Sequence, residues 1–232
     1  MRRRPLPLKA VSVPDVRTAP GADPETRRVL PRLILIADRF TDPSVAHHVL
    51  AAVRAGVPWV HLRDHAAGED VFLTAARAIT DAIRRDAPHV LISINGRLDV
   101  ARELGTGFHT GVHGPSIPDA RNALHESDGP VGYSAHGARE ARLALEAGAD
   151  YLFFSPVYPT TSKPGQPARG LDGLRGVTQD VEKPVYALGG ITPERVRGCM
   201  DAGAYGVAVL GGILKADDPA LAVQAYLAAC FD

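Results

Sequence analysis

Pro184-Val185-Tyr186-Ala187-Leu188-Gly189-Gly190-Ile191-Thr192-Pro193-Glu194 sets a short apolar run directly before two glycines and the opening of a helix. The run reads as a strand whose carboxyl end opens into a cradle for an anion. Glycines let backbone N–H groups approach an anion with no Cβ in the way. Thr192 as N-cap and Pro193 at the first helical position aim a helix N-terminus at the same spot. The pattern recurs in Gly206-Val207-Ala208-Val209-Leu210-Gly211-Gly212-Ile213-Leu214. Two successive strand-to-glycine turns near the C-terminus match the phosphate site that α/β barrels build after strands 7 and 8. Gly189, Gly190, Gly211 and Gly212 are therefore the expected phosphate-binding positions.

Outward from this stretch, short apolar runs alternate with amphipathic segments, the pattern of βα units around a parallel sheet. Strands are expected at Leu33–Ala37, Trp59–Leu62, Val90–Ile94, Gly107–His109, Val131–Ser134, Tyr151–Phe154, Pro184–Ala187 and Gly206–Val209. The fourth, short and glycine-containing, is the weakest. Helices are expected at Pro43–Ala55, Glu69–Arg85, Ala138–Ala147, Thr192–Ala202 and Pro219–Ala229, among others. Gly56, Gly148 and Gly203 each stand just past a helix, where a left-handed C-cap is needed. Eight units in this length fit an α/β fold of the (β/α)8 TIM-barrel type, a single domain over 32–232, better than an open doubly wound sheet. Residues 1–31, rich in proline and arginine without sustained periodicity, read as a flexible N-terminal tail.

The 232 residues are 45% hydrophobic and 22% charged, an ordinary globular composition. Lys plus Arg and Asp plus Glu stand at 26 each, so no bulk field draws nucleic acid or anionic lipid, and anion binding must be local. Small-molecule partners are expected, with neither nucleic acid nor membrane; a homo-oligomer stays open. No apolar stretch approaches a membrane span, and the arginines after Met1 precede no signal-peptide core, so a cytoplasmic location is expected. Cys199 and Cys230 read as buried free thiols.

In a barrel, chemistry falls to residues at the carboxyl ends of strands. His61 and Arg63 share a face of strand 2. A guanidinium there requires an anion, either a ligand or a neighbouring carboxylate such as Asp64. His61 divides between ligand contact and a hydrogen-bonded core histidine. Asn95 offers a donor and an acceptor to a ring heteroatom, although Asn95-Gly96 is also an ordinary turn dipeptide. Ser134 and His136 share a face of strand 5. Imidazole titrates near neutrality and can shuttle a proton, so His136 is the candidate catalytic group, with a loop-closing hydrogen bond as the alternative. Thr160, Ser162 and Lys163, in the long proline-rich loop after strand 6, suit an anion-binding lid or a solvated loop. His109 and His113 lack a third ligand nearby, so no zinc site is expected.

Ser134-x-His136, Pro156-Val157-Tyr158-Pro159-Thr160-Thr161-Ser162-Lys163, Gly189-Gly190-Ile191 and Val207-Ala208-Val209 with Gly211-Gly212-Ile213 together resemble the thiamine phosphate synthase / TenI superfamily, over the chain from Leu33 onward. The resemblance implies one of two reactions. Synthases join hydroxymethylpyrimidine diphosphate to thiazole phosphate with magnesium held by aspartates; TenI-type tautomerases aromatise a thiazole carboxylate phosphate without metal.

Three departures separate these branches. Where synthases show Gln-x-Arg-Glu-Lys, Asn-Asp-Arg and Gln-Glu-Asp, this chain has His61-Leu62-Arg63-Asp64-His65, Asn95-Gly96-Arg97 and Val112-His113-Gly114. Both metal-binding aspartates and the diphosphate-binding lysine are missing. The departures resemble the tautomerase branch, so the expectation is an isomerase, a thiazole tautomerase with His136 as proton shuttle and Arg63 pairing with a substrate carboxylate. No metal or cofactor is then needed. The alternatives are a thiamine phosphate synthase, which would need magnesium and is favoured by the Thr160–Lys163 loop, and a non-catalytic thiamine-phosphate-binding or regulatory protein.

Overall fold

The computed structural model describes residues 29–125, 128–162 and 165–231. Residues 1–28, which make up most of the expected tail, and Lys163 of the expected lid lie outside the described residues. The elements run β1 (Leu33–Asp38), α1 (Pro43–Arg54), β2 (Trp59–Arg63), α2 (Glu69–Asp86), β3 (Leu91–Asn95), α3 (Leu98–Leu104), β4 (Gly107–Thr110), α4 (Ile117–Ala123), β5 (Val131–Ala135) and α5 (Ala138–Glu146). They continue as β6 (Tyr151–Phe154), α6 (Gly170–Thr178), β7 (Val185–Leu188), α7 (Pro193–Asp201), β8 (Gly206–Val209), α8 (Gly211–Leu214) and α9 (Pro219–Phe231). All eight strands pair in parallel, and β8 closes on β1 through Leu33 opposite Val207. This is the (β/α)8 barrel expected from the alternation.

Strand alternation creates two cores. Leu33, Leu35, Val60, Leu62, Ile92, Ile94, Leu152, Phe154, Val207 and Val209 face the helices and join their buried stripes. On α2 that stripe is Phe72, Ala76, Ile79 and Ile83, the spacing of one helix face. The opposite strand faces fill the barrel. Trp59, Tyr151 and Tyr186 meet edge to face at its floor, with ring centroids 4.8 to 5.8 Å apart. Gly132 makes room for this cluster, since a Cβ there would lie 2.1 Å from the Tyr151 ring. Gly107 likewise explains why β4 looks weak in the sequence: a Cβ would stand 2.8 Å from the carbonyl oxygen of Pro130. All four β4 residues are buried.

Helix boundaries follow local chemistry. Asp42 accepts the Ser44 N–H (2.8 Å) ahead of Pro43, and Ser116 accepts the Asp119 N–H (3.2 Å). Gly56, Gly148 and Gly203 take φ of 100°, 100° and 88°, the left-handed geometry that ends a helix. Cys199 and Cys230 are buried and unbridged. Among the described residues, no helix is long and apolar enough to cross a membrane.

Candidate functional site

The two glycine turns lie together at the carboxyl end of the barrel and line one cavity of about 380 Å³. Gly189 and Gly190 take φ of 97° and 63°. The loop after β6 runs beside them: Val157 donates its N–H to the Leu188 carbonyl (2.9 Å) and Tyr158 to that of Gly189 (3.0 Å). A Cβ on Gly189 would come within 2.8 Å of Pro156, and one on Gly190 within 2.5 Å of the Pro159 carbonyl oxygen. The glycines therefore serve close backbone packing as much as open N–H groups. Thr192 has extended N-cap geometry but makes no side-chain capping bond. It bonds Glu194 instead, which helps hold that carboxyl below its usual range.

Gly212 has a further reason to lack a side chain. Its Cβ would sit 2.0 Å from the Tyr226 hydroxyl, which donates to the Ile191 carbonyl (2.9 Å). Tyr226 thereby ties α9 to the turn that follows β7. Thr160, Thr161 and Ser162 form another wall of the cavity, with Ser162 donating its N–H to the Thr160 hydroxyl (3.2 Å).

Arg63 reaches the same cavity, and its anionic partner belongs to the protein. Its Nε donates to Asp38 at the end of β1 (2.8 Å), rather than to Asp64. Asp64 instead accepts from the Thr41 hydroxyl (2.6 Å) and from the Ala66 and Ala67 N–H groups. Arg39, just beyond Asp38, takes φ 60° and donates its N–H to the Arg63 carbonyl (2.9 Å), which pins the two strand ends together.

The other expected substrate residues stand apart from this cavity wall. His61 is 2% exposed inside the barrel, where Nδ1 meets the Ser93 hydroxyl (2.9 Å). Ser93 also accepts the Trp59 indole N–H (3.0 Å). Burial pushes the His61 pKa down to about 3. Of the two readings open in the sequence, the structure gives the core histidine. Asn95 hydrogen-bonds His61, and Gly96 continues the turn at φ 72°. Ser134 bonds Nε2 of buried His109 (2.8 Å), whose Nδ1 meets the Tyr151 hydroxyl (3.1 Å). Burial holds His109 well below the usual histidine range.

His136, at the start of the β5–α5 loop, is held twice. Its backbone N–H donates to Glu140 (2.7 Å), and Nδ1 meets the Ser155 carbonyl at 3.2 Å. A carbonyl only accepts, so Nδ1 carries the proton and Nε2 the lone pair in the neutral ring.

Sequence reasoning missed Asp38, Arg195 and Lys215. Arg195 and Lys215 line the cavity with Arg63. Arg195 donates to the Gly190 carbonyl (2.6 Å) and stacks 4.6 Å over Tyr158. Its signal was legible: a cation in the first turn of a helix opposes the helix dipole unless something anionic compensates.

A parallel barrel with a cationic cavity between the turns after β7 and β8 defines the class. The chain belongs to the thiamine monophosphate synthase family, whose model matches residues 33–213. It is 36% identical to the thiamine-phosphate synthase of Salinibacter ruber, covering 90% of this chain and 92% of that protein. It is 37% identical to the thiamine biosynthesis bifunctional protein ThiM/ThiE of Symbiobacterium thermophilum, covering 84% of this chain but 40% of that longer protein. The thiamine phosphate pyrophosphorylase structure from Pyrococcus furiosus superposes with a TM-score of 0.76 at 26% identity, covering 86% of this chain and 95% of that one. These relatives correct the tautomerase expectation: curated proteins at 34–38% identity carry the synthase name, and an isomerase finds no support among them. The missing aspartates had weighed too heavily against the retained cradle and loop.

Proposed function

We propose that the protein is a transferase of thiamine biosynthesis, joining a pyrimidine diphosphate to a thiazole phosphate. The thiazole nitrogen forms a bond to the pyrimidine methylene carbon, the carbon–oxygen bond to the diphosphate breaks, and pyrophosphate leaves. The observation that carries this reading is the assembly of both glycine turns and the Thr160–Ser162 wall into one cavity, in a chain that matches synthases along most of its length. N–H groups at Gly190, Gly211 and Gly212 hold the thiazole phosphate, Thr160 and Ser162 offer hydroxyls to the diphosphate, and Asn95 and Ser134 face the pyrimidine end. His136 positions the β5 and β6 ends through the Ser155 carbonyl. Two buried free thiols are in keeping with a reducing, cytoplasmic setting.

The resemblance implies a magnesium ion, but the residues present do not fit one. Mg²⁺ rests on hard oxygens, commonly one or two carboxylates plus substrate phosphates. Gly96 and Gly114 stand where the family pattern has its aspartates, and among the described residues no Asp or Glu lines the cavity. Asp38, the carboxylate bonded to Arg63, is already committed. No step is therefore derived through a metal.

The test is to mix the purified chain with hydroxymethylpyrimidine diphosphate and thiazole phosphate, with and without magnesium, and assay thiamine phosphate and pyrophosphate. Stoichiometric formation of both supports the transferase. Saturable substrate binding with no product in either condition overturns it in favour of a binding protein.

A further inference from the structure

Charge in the cavity is one-sided. Arg63, Arg195 and Lys215 reach it, together with the hydroxyls of Thr160, Thr161 and Ser162, and none of the described lining residues is a carboxylic acid. Among the described residues Arg63 is paired with a carboxylate through its Nε contact with Asp38, and Arg195 feels the neighbouring Glu194 carboxylate, which does not line the cavity. Arg195 is committed to a carbonyl and an aromatic face, which fix its position without cancelling its charge. Lys215 makes no ion pair among the described residues and folds back along Gly211, its Cδ 3.7 Å from where a Cβ of that glycine would be.

We propose that this pocket takes its phosphorylated ligands as metal-free anions, with Arg195, Lys215 and Arg63 doing the charge compensation that a carboxylate-held divalent cation would otherwise supply. The inference deepens the transferase reading and rests on it for the identity of the ligands. A dication brought between three cationic side chains is repelled, and among the described lining residues it finds no carboxylate to hold it. A diphosphate meets the reverse situation. Guanidinium forks and an ammonium form charge-assisted hydrogen bonds to its oxygens, shorter and stronger than neutral ones. As the carbon–oxygen bond breaks, the charge gathering on the departing pyrophosphate falls on groups already in place, which is the arrangement that lowers a barrier without reorganisation.

The experiment is calorimetric titration of the full chain with inorganic pyrophosphate, first in EDTA and then in excess magnesium, alongside the coupling assay in both conditions. The expected result is saturable binding in EDTA that magnesium leaves unchanged or weakens by sequestering the anion. Lys215→Ala, an exposed position whose truncation spares the core, should weaken that binding about fivefold to tenfold. Pyrophosphate binding that appears only with magnesium, or tightens tenfold in its presence, overturns the inference, and so does an unchanged affinity in Lys215→Ala. The two readings fail separately. Coupling in magnesium with no pyrophosphate binding in EDTA defeats metal-free binding and leaves the transferase standing, whereas pyrophosphate binding in EDTA without coupling in either condition defeats only the transferase.

Discussion

Asp38 and Arg63 meet at 2.8 Å across the ends of adjacent strands β1 and β2, with both side chains about three-quarters covered. The register that sets Asp38 opposite Arg63 makes this contact, and it gives the guanidinium a fixed direction at the edge of the cavity.

Asp38→Asn should keep the fold and remove the one carboxylate that offsets Arg63. Pyrophosphate affinity is expected to rise about threefold to fivefold, while stability changes by no more than about 1 kcal/mol, as for a partly exposed pair. Titration and urea melts check both numbers. Weaker binding would mean that Asp38 matters more for aiming Arg63 than for its charge.

Gly190→Ala should be among the more damaging single-methyl changes. The position has φ 63°, and the added carbon would lie 2.5 Å from the Pro159 carbonyl oxygen. A loss of roughly 1–3 kcal/mol is expected, together with more than tenfold weaker phosphate binding. A melt matching the parent protein would show that the loop after β6 yields freely.

Gly212→Ala conflicts chiefly with Tyr226, 2.0 Å from its hydroxyl and 2.9 Å from the ring carbon that bears it, and more mildly with Val209 at 3.2 Å, since the backbone there is not left-handed. Paired with Tyr226→Phe, which removes that oxygen, the double variant should recover part of the stability lost by Gly212→Ala. A coupling energy of about 1 kcal/mol in the double-mutant cycle is the expected readout. Strict additivity would mean that the contact does not govern the site.

Acid should weaken the barrel before it protonates surface carboxylates. His61 and His109 are buried and depressed from 6.5, His61 to about 3, so the folded state stays neutral where the unfolded chain takes up protons. A depressed base contributes stability above the unfolded value that is lost as pH falls toward the folded one. Both histidines should therefore cost stability between pH 7 and pH 5, His61 by about 2 kcal/mol. Denaturant melts at both pH values check this, with His109→Asn expected to flatten the dependence and a pH-independent stability contradicting it.

Much of the site was legible because glycine pairs, caps and alternation are local. The turn at Gly189-Gly190, its recurrence at Gly211-Gly212, and the loop after Phe154 all mark where the chain leaves a strand, and a closed parallel barrel gathers such exits at one end. What misled was the reading of absent carboxylates as a change of reaction, when the relatives point to the same family of reaction on altered residues.

Periodicity therefore determined the barrel, its helix boundaries and the end at which chemistry belongs, because a strand or helix face follows from spacing of two or 3.6 residues. Depth and partnership came only from closure of the sheet. His61 and Arg63 share a face two residues apart, yet one is sealed beside Ser93 and His109 and the other opens on the cavity. Alternation specifies a face and not a height along the barrel. Asp38 beside Arg63, Tyr226 over Gly212, and the opening of Arg195 and Lys215 onto one cavity with Arg63 join residues distant in the chain, which no local pattern encodes.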